Sequence, residues 1–295
     1  MKIFDCTTFY SEHLMMDVRF NVLNEYVHKF IVCESTISHS GKPKKLNFDI
    51  NNYPKFKDKI IYIVIEKEPK GIIGDGKQNL IPTEKRQNSL KRIELSYDRM
   101  MEALNIAQEN DLIILSDNDE IPNLNSSQFK NSNKDIFIFK QLFFYYKFNL
   151  LYDLVPWYGS KAVKKNKLIS MSWLKNLKNK QYPFWRIDTL FSNNKYINLD
   201  IIKDGGWHFT NLMNAEKLYQ KLTNFGHHDE FELSGLTVND LKKKIKEKKV
   251  FFNHFMDKEK YKERWEYDYK LKKINNNLLP EYLVSNLKKF NEWFD

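Results

Sequence analysis

The order of apolar segments predicts an α/β protein with a mixed, mostly parallel central sheet. In the first half of the chain, short β-rich runs alternate with segments whose apolar residues recur at helical spacing. This alternation is typical of parallel strands joined by crossover helices. The second half is less regular, and its strand-like segments favour a mixed sheet. With 295 residues, of which 42% are hydrophobic and 15% aromatic, the chain can bury a sizeable core.

The bounds of the individual elements follow from the same patterns. In the first half, strands are predicted at residues 2–7, 30–33, 60–65 and 111–115, and helices at 12–28 and 83–108, with Thr83 as the N-cap of the second helix. In the second half, strands are predicted at 136–139, 142–147 and 159–163, and helices at 173–178 and 215–224. We expect one domain over residues 1–235 and a lysine-rich, mostly helical annex over residues 236–295 that packs on it.

The chain is strongly basic. Its formal net charge is +10, and six lysines lie within residues 242–249. Such an excess fits an anionic partner, which can be a nucleotide diphosphate, a nucleic acid or an acidic membrane surface. The alternative is a solvated helix face without a binding role.

Cysteine usage and the first residues bear on the compartment. Cys6 and Cys33 lie in apolar strand-like segments, which indicates buried thiols in a reducing compartment. Asp5 interrupts the first apolar run, which is therefore not a signal peptide. No run approaches the roughly 20 apolar residues that cross a bilayer. We expect a cytoplasmic protein, soluble or peripheral to a membrane.

An acidic turn follows the predicted strand 111–115. Asp117, Asn118 and Asp119 stand where ligands bind in open α/β sheets, outside the carboxyl end of a strand, and Pro122 is expected to stop further strand pairing. Two carboxylates one residue apart can hold Mg²⁺ or Mn²⁺, which keeps open positions for diphosphate oxygens. The alternative is a turn that only caps the next segment. The turn alone does not separate glycosyl transfer from nucleotidyl or phosphoryl transfer, since all three use a carboxylate-held metal.

Several segments, taken together and in order, resemble glycosyltransferase family 17. Its best-known members are the β-1,4-mannosyl-glycoprotein β-1,4-N-acetylglucosaminyltransferases. The most specific segments are Asp-Asn-Asp-Glu-Ile-Pro at 117–122 and Gly-Trp-His-Phe at 206–209. The others are residues 4–6, 12–23, 32–35, 38–44, 84–88 and 225–230.

The resemblance implies a fold, a reaction and a donor. It implies a GT-A fold and an inverting transfer of GlcNAc from UDP-GlcNAc to a glycan hydroxyl, with Mn²⁺ or Mg²⁺ at the acidic turn. Eukaryotic members carry a membrane anchor, which this sequence does not display. We therefore expect a relative that acts on another glycan or on a lipid-linked glycan, and the lysine-rich segment is a candidate for peripheral membrane contact.

Four further residues are candidates for donor contacts. Glu34, at the end of the second strand, can accept hydrogen bonds from uracil or ribose, although an ordinary strand-end carboxylate has the same position. Arg86 can bind phosphate oxygens bidentately, or it can be a solvated arginine at a helix start. His39 and Lys42 lie in a polar, glycine-containing turn that can close over the donor.

The Gly-Trp-His-Phe segment adds two more candidates. Gly205 and Gly206 are expected to let the backbone approach a ligand, and Trp207 is expected to stack on a sugar or base. His208 is a candidate for contact with the metal or the diphosphate, although a lone histidine is more often a packed or surface residue.

The sequence gives less information about the catalytic base and the acceptor surface than about the donor site. An inverting transfer needs a carboxylate that takes the proton of the acceptor hydroxyl, and the candidates are Glu230, Asp188 and Asp204. Each can instead be a salt-bridge or capping residue. The aromatic residues 143–146 and 157–158 are expected to divide between the core and an acceptor cleft, because successive strand side chains face opposite sides.

Two rival functions remain open at this point. A nucleotidyltransferase would use the same metal but release pyrophosphate from a nucleoside triphosphate. A non-catalytic nucleic-acid-binding module would place lysines and exposed aromatics on one surface. In this chain the lysines cluster late and the aromatics lie in apolar patterns, so no nucleic-acid partner is expected.

Overall fold

The computed structural model describes residues 1–74, 80–189, 191–254, 264–265 and 267–295. The strands are β1 (Ile3–Phe9), β2 (Lys29–Ser35), β3 (Ile60–Ile65), β4 (Leu112–Ser116), β5 (Glu120–Pro122), β6 (Ile136–Tyr145), β7 (Leu150–Leu151), β8 (Trp157–Lys164), β9 (Leu199–Ile202), β10 (Gly206–Thr210), β11 (Lys249–Val250), β12 (Tyr269–Lys270) and β13 (Lys272–Lys273). The helices are α1 (His13–Leu23), α2 (Pro82–Ala103), α3 (Ser127–Asn131), α4 (Met171–Lys175), α5 (Ala215–Leu222), α6 (His228–Ser234), α7 (Val238–Glu247) and α8 (Glu281–Ser285). Short 3₁₀ turns connect several of them.

The predicted mixed α/β architecture is confirmed, with a narrower parallel part than expected. The four strands in the order β3-β2-β1-β4 run parallel to their neighbours. Beyond β4 the strand β8 pairs antiparallel with both β4 and β6. Strands β9 and β10 return to parallel pairing, each with β6. The chain after β6 returns directly as a neighbouring strand rather than through a crossover helix, so parallel pairing does not extend across the sheet.

The start of α2 differs from the prediction, and the end of β5 can be compared with it. Helix α2 begins at Pro82, and its N-cap is Ile81, two residues before the predicted N-cap Thr83. The Glu84 carboxylate accepts the backbone N–H of Ile81 at 3.1 Å and so satisfies the helix start. Pro122 lies opposite Gly206 of β10 and is the last residue of β5, so the strand ends where the sequence predicted.

The two faces of the sheet carry separate hydrophobic clusters. On β2, Phe30 and Val32 belong to the cluster under α1, whereas Ile31 and Cys33 belong to the cluster under α2. Cys6 and Cys33 are buried free thiols, as predicted, and burial raises the pKa of both. Because α1 and α2 cover opposite faces, a crevice opens between the ends of β1 and β4.

The C-terminal part is less helical than predicted. Within its described residues, α7 is followed by the hairpin-like pair β11–β12, by β13, which joins the main sheet beside β7, and by α8. The pattern of charged residues is helical through Glu247, where Lys248 adopts a left-handed conformation and ends the helix. The division at residue 235 stays a prediction. Among the described residues, no helix is long and apolar enough to span a membrane.

Candidate active site

A single large cleft gathers most of the segments that the sequence analysis singled out. It has a volume of about 860 Å³ and opens at the carboxyl ends of β1, β2 and β4. The order of strands changes direction between β1 and β4, which is the position where open α/β sheets bind ligands. Of the predicted site residues, those in its wall are His39, Arg86, Asp117, Asn118, Asp119 and His208.

The backbone of the acidic turn is held rigidly. The N–H of Glu120 donates to the carbonyl of Asp117 at 3.0 Å, and the N–H of Phe209 donates to the carbonyl of Asp119 at 2.8 Å. The amide of Asn118 donates to the Glu12 carboxylate at 2.8 Å. These bonds fix the directions in which the turn's side chains project, which is how a preorganised site is built.

A buried ion pair under the turn connects it to β1 and α1. Arg19 and Asp5, whose side chains are 0% and 1% exposed, form a two-pronged bond of 2.5 and 2.7 Å. The second guanidinium arm of Arg19 donates to the carbonyls of Asp117 at 3.2 Å and Glu120 at 2.6 Å. All strongly polar groups of this buried cluster are therefore paired, as burial requires.

Two lysines face the carboxylates of the turn. Lys175 Nζ lies 3.0 Å from Asp117 Oδ1, and Lys221 Nζ lies 3.7 Å from Asp119 Oδ2. Burial alone would raise the pKa of Asp119, but the neighbouring His208 and Lys221 outweigh it and hold that pKa well below its usual value. Asp119 is therefore ionised at neutral pH.

Glu120 supports the turn from beneath. Its carboxylate accepts the backbone N–H of Asp117 and the indole N–H of Trp157, each at 2.9 Å, and lies 3.6 Å from Lys175 Nζ. Burial raises its pKa, and the positive charge of Lys175 opposes that rise. Glu120 is the first residue of β5, and its bonds to Asp117 and Trp157 hold the turn.

The imidazole of His208 packs in the cleft against two aromatic rings, which also contact each other at 4.7 Å. Its ring is stacked on Phe143 at 4.5 Å and on Trp157 at 4.4 Å. His208 Nε2 lies 3.5 Å from Asp119 Oδ1, which is too long for a good hydrogen bond. His208 Nδ1 is buried and has no hydrogen-bond partner in the described part of the chain.

The side chains of the acidic turn and His208 determine whether a divalent cation fits this site. Asp119 and His208 bring a carboxylate and an imidazole to one point, and Mg²⁺ or Mn²⁺ often takes only one or two protein carboxylates beside phosphate oxygens and water. Asp117 instead faces Lys175. No group of three or more His, Cys, Asp and Glu side chains converges among residues 1–74, 80–189, 191–254, 264–265 and 267–295. The residues present fit a cation completed by ligand oxygens.

Three of the predicted donor-contact residues lie outside the lining of the cleft. The Glu34 carboxylate is buried on the other face of the sheet, where it accepts bonds from Asn47 N, Phe48 N and the Tyr62 hydroxyl and pairs with Lys44. Since side chains alternate along a strand, its neighbours Cys33 and Ser35 reach the cleft and Glu34 does not.

Lys42 and Trp207 also lie outside the lining. Lys42 is exposed in the turn after β2, and Lys44 from the same segment reaches the cleft instead. Trp207 alternates with His208, so it points to the opposite face and donates its indole N–H to the Leu278 carbonyl at 2.7 Å. The tryptophan that lines the cleft is Trp157 of β8, which stacks on His208.

The two glycines before Trp207 have a structural role. Gly206 has a φ of +107°, and a Cβ there would overlap the carbonyl oxygen of Ile121. A Cβ at Gly205 would overlap the backbone of Lys140. The glycines therefore allow neighbouring segments of the sheet to approach one another closely.

The three candidate bases are separated by the fold. Asp188 lies on an outer loop, where it is paired with Arg186 and Lys195. Asp204 is exposed and accepts a bond from Asn123 at 2.9 Å. Neither of these two carboxylates belongs to the cleft wall.

Glu230 lies directly behind the wall. Its Oε1 is 3.0 Å from His227 Nδ1 and its Oε2 is 3.2 Å from Arg264, and both of these partners line the cleft. The bond from His227 lowers the pKa of Glu230 despite partial burial. A carboxylate that orients a histidine beside a cleft is the arrangement used for general base catalysis.

Arg86 and His39 reach the cleft as predicted. The Arg86 guanidinium donates to the Gly226 carbonyl, and burial lowers its pKa. His39 stands near Arg92, which donates to the His39 carbonyl at 3.0 Å. The Arg86 and Arg92 side chains add positive charge to the cleft wall, and Arg92 also pairs with Glu68 at 2.8 Å.

We expect acid to destabilise the protein through two histidines. Burial lowers the pKa of His39 to about 4 and that of His254 to about 3. In the unfolded chain a histidine binds its proton near pH 6.5, so the unfolded state holds more protons below that pH. The free energy of unfolding should therefore fall by about 2–4 kcal/mol between pH 7 and pH 4, less than the full shifts imply because both rings are partly exposed.

Urea unfolding at pH 7, 5.5 and 4 measures this dependence. In the matched variant His39→Gln/His254→Gln, the free energy of unfolding should depend much less on pH. The dependence that remains should come from the carboxylates. An equal slope in wild type and variant would show that these histidines are not buried in their neutral form.

Comparison with known proteins assigns the chain to a family. The model of glycosyltransferase family 17 matches residues 1–293, so the chain belongs to that family. The protein is thus a glycosyltransferase by family.

Two relatives share part of the sequence. The β-1,4-mannosyl-glycoprotein 4-β-N-acetylglucosaminyltransferase of Rattus norvegicus is 26% identical over 125 residues, covering 41% of this chain and 22% of that protein. The Homo sapiens protein of the same name is 29% identical over 112 residues, covering 37% of this chain and 19% of that protein. The matched part thus spans about a fifth of the length of either relative.

Proposed function

We propose that the protein transfers GlcNAc from UDP-GlcNAc to a glycan hydroxyl, with inversion at the anomeric carbon and with the help of a divalent cation. The observation that carries the proposal is the position of Asp117 and Asp119 in the wall of the large cleft, at the switch point between β1 and β4. The parallel order β3-β2-β1-β4 supports a GT-A-like fold in which the donor lies across that point.

The charge of the cleft supports a diphosphate-bearing donor. Its described wall has six lysine and arginine side chains and three carboxylates, and three of the cations also pair with carboxylates outside the wall, namely Glu34, Glu68 and Glu230. The cations are Lys44, Arg86, Arg92, Lys175, Lys221 and Arg264, and the carboxylates are Glu12, Asp117 and Asp119. Guanidinium groups bind phosphate oxygens through paired N–H donors, and lysines act as point charges.

Asp119 and His208 are the residues that we propose to hold Mn²⁺ or Mg²⁺, with Asp117 beside them. When bound, such a cation neutralises charge on the departing nucleoside diphosphate. Lys221 and Lys175 are placed to share that role, because each already lies within 4 Å of a turn carboxylate. We propose that Asn118, whose amide is fixed by Glu12, keeps the turn open toward the donor.

We propose His227 and Glu230 as the groups that receive the acceptor proton. Glu230 accepts from His227 Nδ1, which leaves the other ring nitrogen of His227 free to take a proton. The acceptor hydroxyl would attack the anomeric carbon from the side of this pair while the UDP oxygen leaves from the opposite side. The rings of Trp157 and Tyr158 offer a surface on which an acceptor sugar can stack.

The names of the rat and human relatives point to a GlcNAc donor, and a glycan or lipid-linked glycan is the acceptor class that we propose. Membership in the family favours this function over a nucleotidyltransferase or a nucleic-acid-binding module.

Release of UDP from a panel of sugar nucleotides tests the proposal. With Mn²⁺ or Mg²⁺ present, we expect slow hydrolysis of UDP-GlcNAc above other donors, abolished by a chelator. Glu230→Gln should lower transfer to an added glycan while leaving donor binding within about threefold, because it acts on the acceptor side. Pyrophosphate release from UTP, or turnover of no donor by folded protein, would contradict the proposal.

A further inference from the structure

An outer loop beside the cleft exposes a concentration of large apolar side chains. Phe184, Trp185, Ile187 and Phe191 are 81%, 67%, 68% and 87% exposed. Every phenylalanine and tryptophan that is exposed among the described residues lies in this loop. Elsewhere the exposed large apolar residues are aliphatic and scattered, as on ordinary soluble surfaces.

The base of this loop is well fixed. The N–H of Lys178 donates to the Asn194 carbonyl at 2.9 Å, and the indole N–H of Trp173 donates to the Asn193 carbonyl at 2.7 Å. Gln181 donates to the Asp200 carboxylate at 3.0 Å. The two limbs of the loop are thereby joined to each other and to β9, so the apolar tip is presented on a defined support.

Cations surround the apolar tip. Residues 176–196 contain Lys178, Lys180, Arg186 and Lys195 against the single carboxylate of Asp188. Asp188 is bonded to Arg186 at 2.7 Å and to Lys195 at 3.0 Å. Lys178 and Lys180 form no ion pair with another residue of the described chain, so their charges are available to a partner.

The apolar tip and the lysines and arginine around it together indicate the class of partner that this loop contacts. We propose that the loop tip formed by Phe184, Trp185, Ile187 and Phe191 inserts into the interface of an anionic lipid membrane. Tryptophan and phenylalanine favour the boundary between head groups and acyl chains, and nearby lysines and arginines are attracted to anionic head groups. A neutral glycan would use flat aromatic faces but would gain little from the exposed Ile187 or from an excess of cations.

The lysine-rich segment is a poorer membrane contact than the sequence implied. Lys242 pairs with Glu216 at 2.7 Å, Lys244 and Lys249 pair with Asp268, and Lys248 pairs with Asp295. Most of its charge is therefore neutralised locally. No exposed aromatic side chain accompanies it in the described residues.

The position of the loop relates this contact to the cleft. Lys175, which ends α4 and faces Asp117, is followed directly by the first limb of the loop, and Asn179 of that limb lines the cleft. A membrane at the loop tip would thus lie beside the cleft, where it can present an acceptor attached to a lipid. The membrane contact itself does not depend on the donor that we propose.

Vesicle co-sedimentation of the full chain tests the proposal. Wild type should sediment with phosphatidylcholine vesicles that contain one-third phosphatidylglycerol and far less with phosphatidylcholine alone. Phe184→Ser/Trp185→Ser should weaken the partition coefficient at least about tenfold. Lys178→Gln/Lys180→Gln should remove most of the preference for the anionic lipid.

Matched controls decide between the alternatives. Lys242→Gln/Lys243→Gln/Lys246→Gln should bind vesicles as wild type does, and all variants should keep the wild-type circular dichroism and the same UDP-GlcNAc hydrolysis. Absence of vesicle binding by wild type, equal binding by the loop variants, or loss of binding only in the α7 variant would overturn the proposal. So would dimers in light scattering that the loop substitutions dissociate, since a second copy would then be the partner.

Discussion

Replacing Asp119 by asparagine is expected to lower kcat for UDP-GlcNAc hydrolysis and transfer by at least about 100-fold. The substitution keeps the size of the side chain but removes the charge that lies 3.5 Å from His208 and 3.7 Å from Lys221. It also removes the carboxylate that we propose as a cation ligand. Steady-state rates at saturating donor and metal measure the effect, with calorimetry reporting donor affinity separately.

Asp204→Asn is the matched control for this experiment. Asp204 is an exposed carboxylate outside the cleft wall, bonded to Asn123, so the rate should stay within about threefold of wild type. If Asp119→Asn also retained a rate within that range, the acidic turn would not be the centre of the reaction.

Replacing Arg19 by methionine is expected to lower the free energy of unfolding by about 3–5 kcal/mol. The change leaves the Asp5 carboxylate buried without its partner and removes the donors to the carbonyls of Asp117 and Glu120. Urea unfolding at pH 7 measures it. Loss of activity should follow at temperatures where the variant is still folded, because the acidic turn loses its support.

Arg99→Met provides the comparison on the surface. Arg99 pairs with Glu102 at 2.5 Å, but the two side chains are 42% and 61% exposed, so its loss should change the free energy of unfolding by less than about 0.5 kcal/mol. A loss below 1 kcal/mol in Arg19→Met would mean that water or a rearranged side chain satisfies Asp5.

The first half of the fold was predictable because its apolar segments are long and strongly patterned. The third strand was predicted at its observed bounds, and the helix before the acidic turn ended within a few residues of its predicted limit. The single long strand β6 was predicted as two, since Lys140 and Gln141 interrupt its apolar run. The short strands of the C-terminal part have two residues each, too few for any periodic pattern to indicate.

The site was predictable where chemistry is concentrated in one segment. The acidic turn and His208 lie together, as their residue types indicated. Lys175 and Lys221 were missed because a single lysine in a lysine-rich sequence gives no signal, and only tertiary packing brings them to the turn.

Side-chain direction explains the other misplaced residues. Glu34 and Trp207 each lie one position away from a strand residue that reaches the cleft. Because strand side chains alternate between the two faces, knowledge of which face lines the cleft would have excluded both residues. The aromatic residues of this region were expected to divide between the core and a cleft. Trp157 and Phe143 line the cleft, whereas Phe144 packs in the core.

Hydrogen–deuterium exchange of the full chain, with and without UDP and Mn²⁺, tests the central claim most directly. We predict slower exchange in peptides that contain Ser35–His39, Asp117–Asp119 and Lys221–His227, the backbone around the cleft. Peptides from the outer loop at 182–189 and from α7 should exchange as in the free protein. Unchanged exchange around Asp117–Asp119 at saturating UDP, or protection confined to another part of the chain, would contradict the placement of the donor in this cleft.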